Sequence, residues 1–155
     1  TEIVDLMLER GTWLVPTLLA PQGVLDAAAR GIQIPPSSLR KAREVTDIHR
    51  EAVAKAIGAG VKVAMGTDSG ITEHGQNLRE LDLMVKAGLS PVGAMLATTR
   101  SAAELLGVAD TLGSIEAGKR ADLTIVTGDP FDYTDLAERV QAVFQAGRLV
   151  AGALP

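Results

Sequence analysis

Apolar positions in this chain recur either at spacings of three and four or in short continuous runs, and the two patterns predict different elements. Ile3, Leu6, Met7 and Arg10 share one helical turn pattern, with Gly11 where a helix C-cap belongs. Trp13–Leu19 is an apolar run of strand length, although Pro16 inside it cannot donate to a ladder. Residues 22–30 allow a short helix ending at Gly31. The strongest helix follows Pro35-Pro36, with Ser37 or Ser38 as cap and Leu39, Ala42, Val45, Ile48, Ala52 and Ala56 as its stripe. Glu51 and Lys55 supply an i,i+4 pair on its wet side, and Gly58 and Gly60 end it. The run VKVAM (61–65) then reads as a strand, followed by Gly66-Thr67-Asp68-Ser69-Gly70.

Past a polar loop, Asn77 and Glu80 have capping-box spacing ahead of a helix, and Ser101 with Glu104 repeats it. Between them Ser90-Pro91 opens another helix, with proline at the first helical position. Alternating strand and helix predicts parallel β/α units. The last third changes character. Residues 113–126 read as strand, turn at Ala117-Gly118 and strand, and residues 140–152 as a hairpin turning near Ala146-Gly147. This predicts two units, 1–108 and 109–155.

Composition narrows the function. The chain has 155 residues, 46% of them hydrophobic and 22% charged, which excludes disorder as a whole-chain description. A net charge of −4 without a basic cluster argues against nucleic acid or an anionic membrane as partner. No apolar run reaches the roughly 18 residues of a membrane helix, and a cytoplasmic location is favoured. Zero cysteines exclude a disulfide scaffold, a thiolate metal site and a cysteine nucleophile.

Asp68 is the leading candidate for chemistry, because β/α proteins keep their active sites at the carboxyl ends of their strands. Asp-Ser-Gly also occurs in aspartic proteases, but those need two carboxylates sharing a proton in a nearly all-strand chain. A nucleophile elbow needs a helix to start at once, whereas Asn77 comes seven residues after Gly70. A metal ligand that doubles as a proton shuttle is the third reading, and a turn-capping aspartate the plain one. His74 lies in the same loop, where a lone histidine is usually just solvated. His49 reads as a partly buried helix residue. Gly113 to Gly118-Lys119 nearly spells a phosphate loop, but Arg120 replaces the hydroxyl residue and a strand follows.

The blocks VKVAMGTDSG, HGQNLREL, MVKAGLSP, LLGVADTLGSIEAGKRADLTIVTGDP and VQAVFQAGRLV together resemble the C-terminal part of the amidohydrolase superfamily. The similarity is strongest to imidazolonepropionase-like members, including prolidase-type dipeptidases. The resemblance implies an α/β fold: the last two strands of a metal-dependent (β/α)₈ TIM barrel, Trp13–Leu19 and Val61–Met65, plus the C-terminal strands of a small β-sandwich. It implies that Asp68 binds metal and takes a proton from the attacking water, and that His74 and Asn77 face the substrate. The implied cofactor is a divalent metal, zinc first, with one or two ions per site. The implied activity is hydrolysis of an amide in a dipeptide or N-acyl amino acid. A cyclic-amide hydrolase or deaminase, and a non-catalytic binding module, remain as alternatives.

The family builds its metal centre from a His-x-His, a lysine and two further histidines, and this chain holds none of them in the required places. Catalytic zinc takes three protein ligands, and a barrel needs eight strands. The chain is therefore expected to be a segment of a longer polypeptide or one piece of a nicked enzyme. Its expected partners are a small-molecule or dipeptide substrate, the N-terminal remainder, and further copies in a homo-oligomer.

Overall fold

A computed structural model describes residues 2–70 and 72–154; Thr1, Ile71 and Pro155 lie outside the described residues. Helix α1 (Glu2–Arg10) ends as its sequence predicts, with Gly11 at φ +62°. Strand β1 (Trp13–Leu14) then pairs in parallel with β2 (Lys62–Val63), Trp13 opposite Lys62 and Leu14 opposite Val63. Lys62 Nζ lies 5.4 Å from the centroid of the Trp13 ring, a cation–π contact.

Both strands are shorter than their apolar runs. Pro16 has no N–H for a ladder, Thr17 turns at φ +46°, and helix α2 (Leu19–Ala29) begins at once. The predicted strand Trp13–Leu19 is thus corrected to strand, turn and helix start, and α2 opens three residues before the expected position 22. On the other strand, Ala64 N–H still reaches the Leu14 carbonyl (3.0 Å). The next amide, Met65 N–H, is taken by the Ala97 carbonyl of a helix (2.9 Å).

Helix α3 (Pro36–Gly58) places Pro36 in its first turn, so Pro35 occupies the cap position and neither Ser37 nor Ser38 does. Its buried line also differs from the expected stripe. Ala42, Val53 and Ala56 are buried, with Thr46 and His49 half-buried between them, while Val45 and Ile48 are exposed. The true line has the same spacing of three and four but runs along an adjacent row of the helix. The ion pairs on α3 are Arg40–Glu44 (3.7 Å) and Arg50–Asp47 (2.8 Å) rather than Glu51–Lys55.

Three shorter helices follow: α4 (Arg79–Lys86), α5 (Pro91–Thr98) and α6 (Arg100–Leu105). Ser90 caps α5 as predicted, its Oγ accepting the Gly93 N–H at 3.0 Å. The two predicted capping boxes do not form. Glu104 pairs with Arg100 (2.9 Å) in a helix that already starts at Arg100. Asn77 and Glu80 are committed to more distant partners, described below.

The remaining sheet is antiparallel, in the order β3 (Leu123–Val126), β4 (Val140–Gln145), β5 (Arg148–Gly152). Ala146 and Gly147 join β4 to β5 with φ of +49° and +78°, the left-handed pair that a two-residue hairpin turn requires. The earlier predicted hairpin is corrected: residues 113–120 form turns. The Lys119 ammonium gathers the Ala109 carbonyl (2.7 Å) and Ser114 Oγ, while Arg120 N–H bonds the Thr111 carbonyl (3.0 Å). A cation with three donors draws oxygens around itself, and that curls the backbone instead of extending it.

One buried apolar cluster joins the parallel strands to the helices and to the segment before β4. It includes Leu18, Val53, Val63, Leu81, Met84, Ala94, Ala97, Tyr133 and Leu136. The Tyr133 hydroxyl donates to the Pro91 carbonyl. Among the described residues, no helix is long and apolar enough to cross a membrane.

Candidate functional site

The carboxyl ends of β1 and β2 meet at Gly66. A Cβ there would lie 2.4 Å from Val15 Cγ1, so only glycine lets the two chain segments pass this closely. Two residues on, Asp68 has φ +46°. The left-handed region costs a non-glycine residue on the order of 1 kcal/mol, and aspartate is among the side chains that tolerate it best. Asp68 is exposed and borders a shallow depression of about 490 Å³, whose other walls include Pro21, Val24, Lys41, Val45 and Thr72.

The residues flanking Asp68 are tied together. Thr67 Oγ1 and Ser69 Oγ lie 2.9 Å apart, and Asn77 Nδ2 donates to both, at 3.0 and 3.3 Å. Asn77 Oδ1 accepts the Gly75 N–H at 3.3 Å. The structure therefore brings Asn77 to the loop that carries Asp68. His74 is exposed on the 72–77 connection, and His49 is half-buried on α3.

Sequence reasoning missed Glu80. It is fully buried, and its two carboxylate oxygens accept the Leu18 and Leu19 N–H groups at 2.8 and 2.7 Å, at the start of α2. Burial pushes its carboxyl up to about 6, against the downward pull of those two hydrogen bonds. The available signal was its position on the apolar line of α4 with Met84 and Ala87, a line the capping-box reading obscured. Next to it, Arg79 reaches Asp26 of α2 at 2.7 Å. Burial alone would raise the Asp26 carboxyl, but hydrogen bonds from Gln22 and Arg79 outweigh it and hold the group below the usual carboxylate range.

The donor set can be tested against a metal. Among the described residues, no three histidine, aspartate or glutamate side chains come together as a cation site. A catalytic zinc takes three protein ligands. Asp68, a hard and exposed oxygen donor, fits one position of such a set and no more.

These features define an α/β protein whose candidate carboxylate stands in the loop that leaves a parallel strand, with the residues on either side of it braced. Residues 1–150 match the amidohydrolase family, and the chain belongs to that family. It is 30% identical to the ochratoxinase of Aspergillus niger, over 97% of this chain and 32% of the relative. Imidazolonepropionase of Thermoplasma volcanium is 36% identical over 61% of the chain and 24% of its own length. Among solved structures, a Xaa-Pro dipeptidase with methionine bound in its active site superposes with a TM-score of 0.87 at 38% identity. That match covers 97% of this chain and 37% of that one. The chain thus spans about a third of the curated relatives it matches most fully. The resemblance to the imidazolonepropionase-like and prolidase branch holds.

Proposed function

We propose that these residues form the closing part of a metal-dependent amidohydrolase active site, with Asp68 as metal ligand and proton carrier. On this reading residues 1–108 carry the last two strands of a (β/α)₈ barrel and 109–155 the C-terminal strands of a small β-sandwich. The observation that carries it is Asp68 itself, an exposed carboxylate held at φ +46° in the loop that leaves β2, in a chain of this family. A divalent cation, zinc foremost, supplies acidity to the attacking water and polarises the substrate carbonyl when bound. The other ligands belong to polypeptide beyond these 155 residues, the enzyme's first partner.

Asp68 accepts a proton from the attacking water and delivers it to the departing amide nitrogen, a general base turned general acid. On this reading the 72–77 connection, which carries His74 and Asn77, is the segment that turns toward the substrate. The substrate is a dipeptide or an N-acyl amino acid, a choice supported by the likeness to the Xaa-Pro dipeptidase and the ochratoxinase. The likeness to imidazolonepropionase favours a cyclic amide as the second reading.

The test is Asp68→Asn in the protein expressed from its complete natural gene, assayed against a panel of Xaa-Pro dipeptides, N-acyl amino acids and cyclic amides. Asparagine keeps the shape and the left-handed backbone while removing the basic oxygen. Turnover is expected to fall about a thousandfold or more with the fold retained. Activity within about tenfold of the parent, a loss that a general base would exceed, ends the assignment.

A further inference from the structure

We propose that Asn77 is a positioning residue for Asp68, acting through Thr67 and Ser69. The inference rests on the reading of Asp68 given above, and it starts from a mechanical problem. A non-glycine residue at φ +46° relaxes to an ordinary backbone conformation unless its neighbours prevent it. Asp68 is exposed, and the side-chain hydrogen bonds around it are made by the residues either side.

Thr67 and Ser69 are those residues. Their hydroxyls bond one another at 2.9 Å, which pinches the chain around Asp68. The single Nδ2 group of Asn77, with two hydrogens, faces both oxygens. Asn77 is itself held by two hydrogen bonds, and one of their donors is anchored in turn. Its Oδ1 accepts from Gly75 N–H, its carbonyl accepts the Glu80 N–H at 3.1 Å, and Glu80 is anchored to the first turn of α2. The start of α4 thus braces both strand ends: Glu80 holds the chain after β1, and Asn77 holds the chain after β2. A brace of this kind presets the carboxylate's place before substrate arrives. That preset matters because a shift of about 1 Å at a reacting group costs on the order of a hundredfold in rate.

The role differs from substrate contact in what it predicts. In the protein expressed from its complete natural gene, Asn77→Ala is expected to lower kcat about 10- to 100-fold and to leave KM within about threefold. Amide deuterium exchange across residues 66–70 should quicken about tenfold. The double variant Thr67→Val/Ser69→Ala removes the acceptors and should reproduce both effects. Adding Asn77→Ala to it should cost nothing further, because the three side chains act as one unit. A rise in KM at constant kcat makes Asn77 a substrate contact and overturns the proposal. Additive losses, or unchanged exchange at 66–70, overturn it as well. Failure of the functional reading shows itself differently: Asp68→Asn would stay active while exchange at 66–70 still quickened in Asn77→Ala.

Discussion

The carboxylate of Glu80 accepts the Leu18 backbone N–H at 2.8 Å across 62 positions of sequence, and its second oxygen takes Leu19 N–H. These are the two amides released when Pro16 and Thr17 end β1. A side chain from α4 therefore does for α2 what a local cap would otherwise do. Glu80→Ala leaves two buried donors without partners, each costing about 1–3 kcal/mol. The expected outcome is a drop in stability of several kcal/mol or loss of folding. Glu80→Gln, which keeps one acceptor, should fall between it and the parent in urea unfolding.

The same residue sets a pH dependence. Its carboxyl titrates at about 6 in the folded chain, above the ordinary 4.5 of an unfolded glutamate. The folded state binds the extra proton, so this contribution is fully present below pH 4.5 and is lost as pH rises through 6. A displacement of that size corresponds to about 2 kcal/mol. The stability gap between the parent and Glu80→Gln should widen by about that amount when unfolding is measured in acid instead of at neutral pH. A gap that narrows in acid would mean that the ionised form is the favoured one in the fold.

Gly66 predicts a compensating pair. Gly66→Ala drives its Cβ against Val15 Cγ1 and should cost about 1–3 kcal/mol, as overpacking does. Val15→Ala opens that space, so the double variant should recover most of the loss in thermal midpoint. Additive losses would place the problem in the backbone of residue 66 rather than in the contact.

Tyr133 ties the segment before β4 to the first residue of α5 through the Pro91 carbonyl. Tyr133→Phe keeps the buried ring and removes the donor, at about 1 kcal/mol. Scanning calorimetry should find the midpoint lowered by about 2–4 °C. An unchanged midpoint would mean that water replaces the hydroxyl.

Local signals were legible in the sequence wherever a residue's own backbone answered to them. Gly11, Ser90-Pro91 and Ala146-Gly147 turn or start their elements as their types require. Asp68 at the end of a strand was equally readable, since an apolar run, a glycine and a carboxylate lie side by side in the chain. What the sequence concealed was partnership at a distance. Asn77 and Glu80 have the spacing of a local cap, yet each serves a loop elsewhere. The α3 stripe was misplaced for the same reason: periodicity gives the spacing of the buried line, while the neighbour α2 decides which line it is. Lys119 likewise reads as a polar residue in a hairpin, until the oxygens of Ala109 and Ser114 are seen around it.

The left-handed backbone at Asp68 also restricts which substitutions position 68 tolerates. Branched and bulky side chains are disfavoured there by the backbone before any chemistry is asked of them, although Thr17 carries that cost at the same φ. Glycine would relieve the turn and asparagine would fit it, so a library randomised at this codon and sorted for folding alone should return glycine, asparagine and aspartate together. Only sorting for turnover would separate them. On the proposed reading of Asp68, stability and catalysis make different demands on one residue, and aspartate is the side chain that meets both.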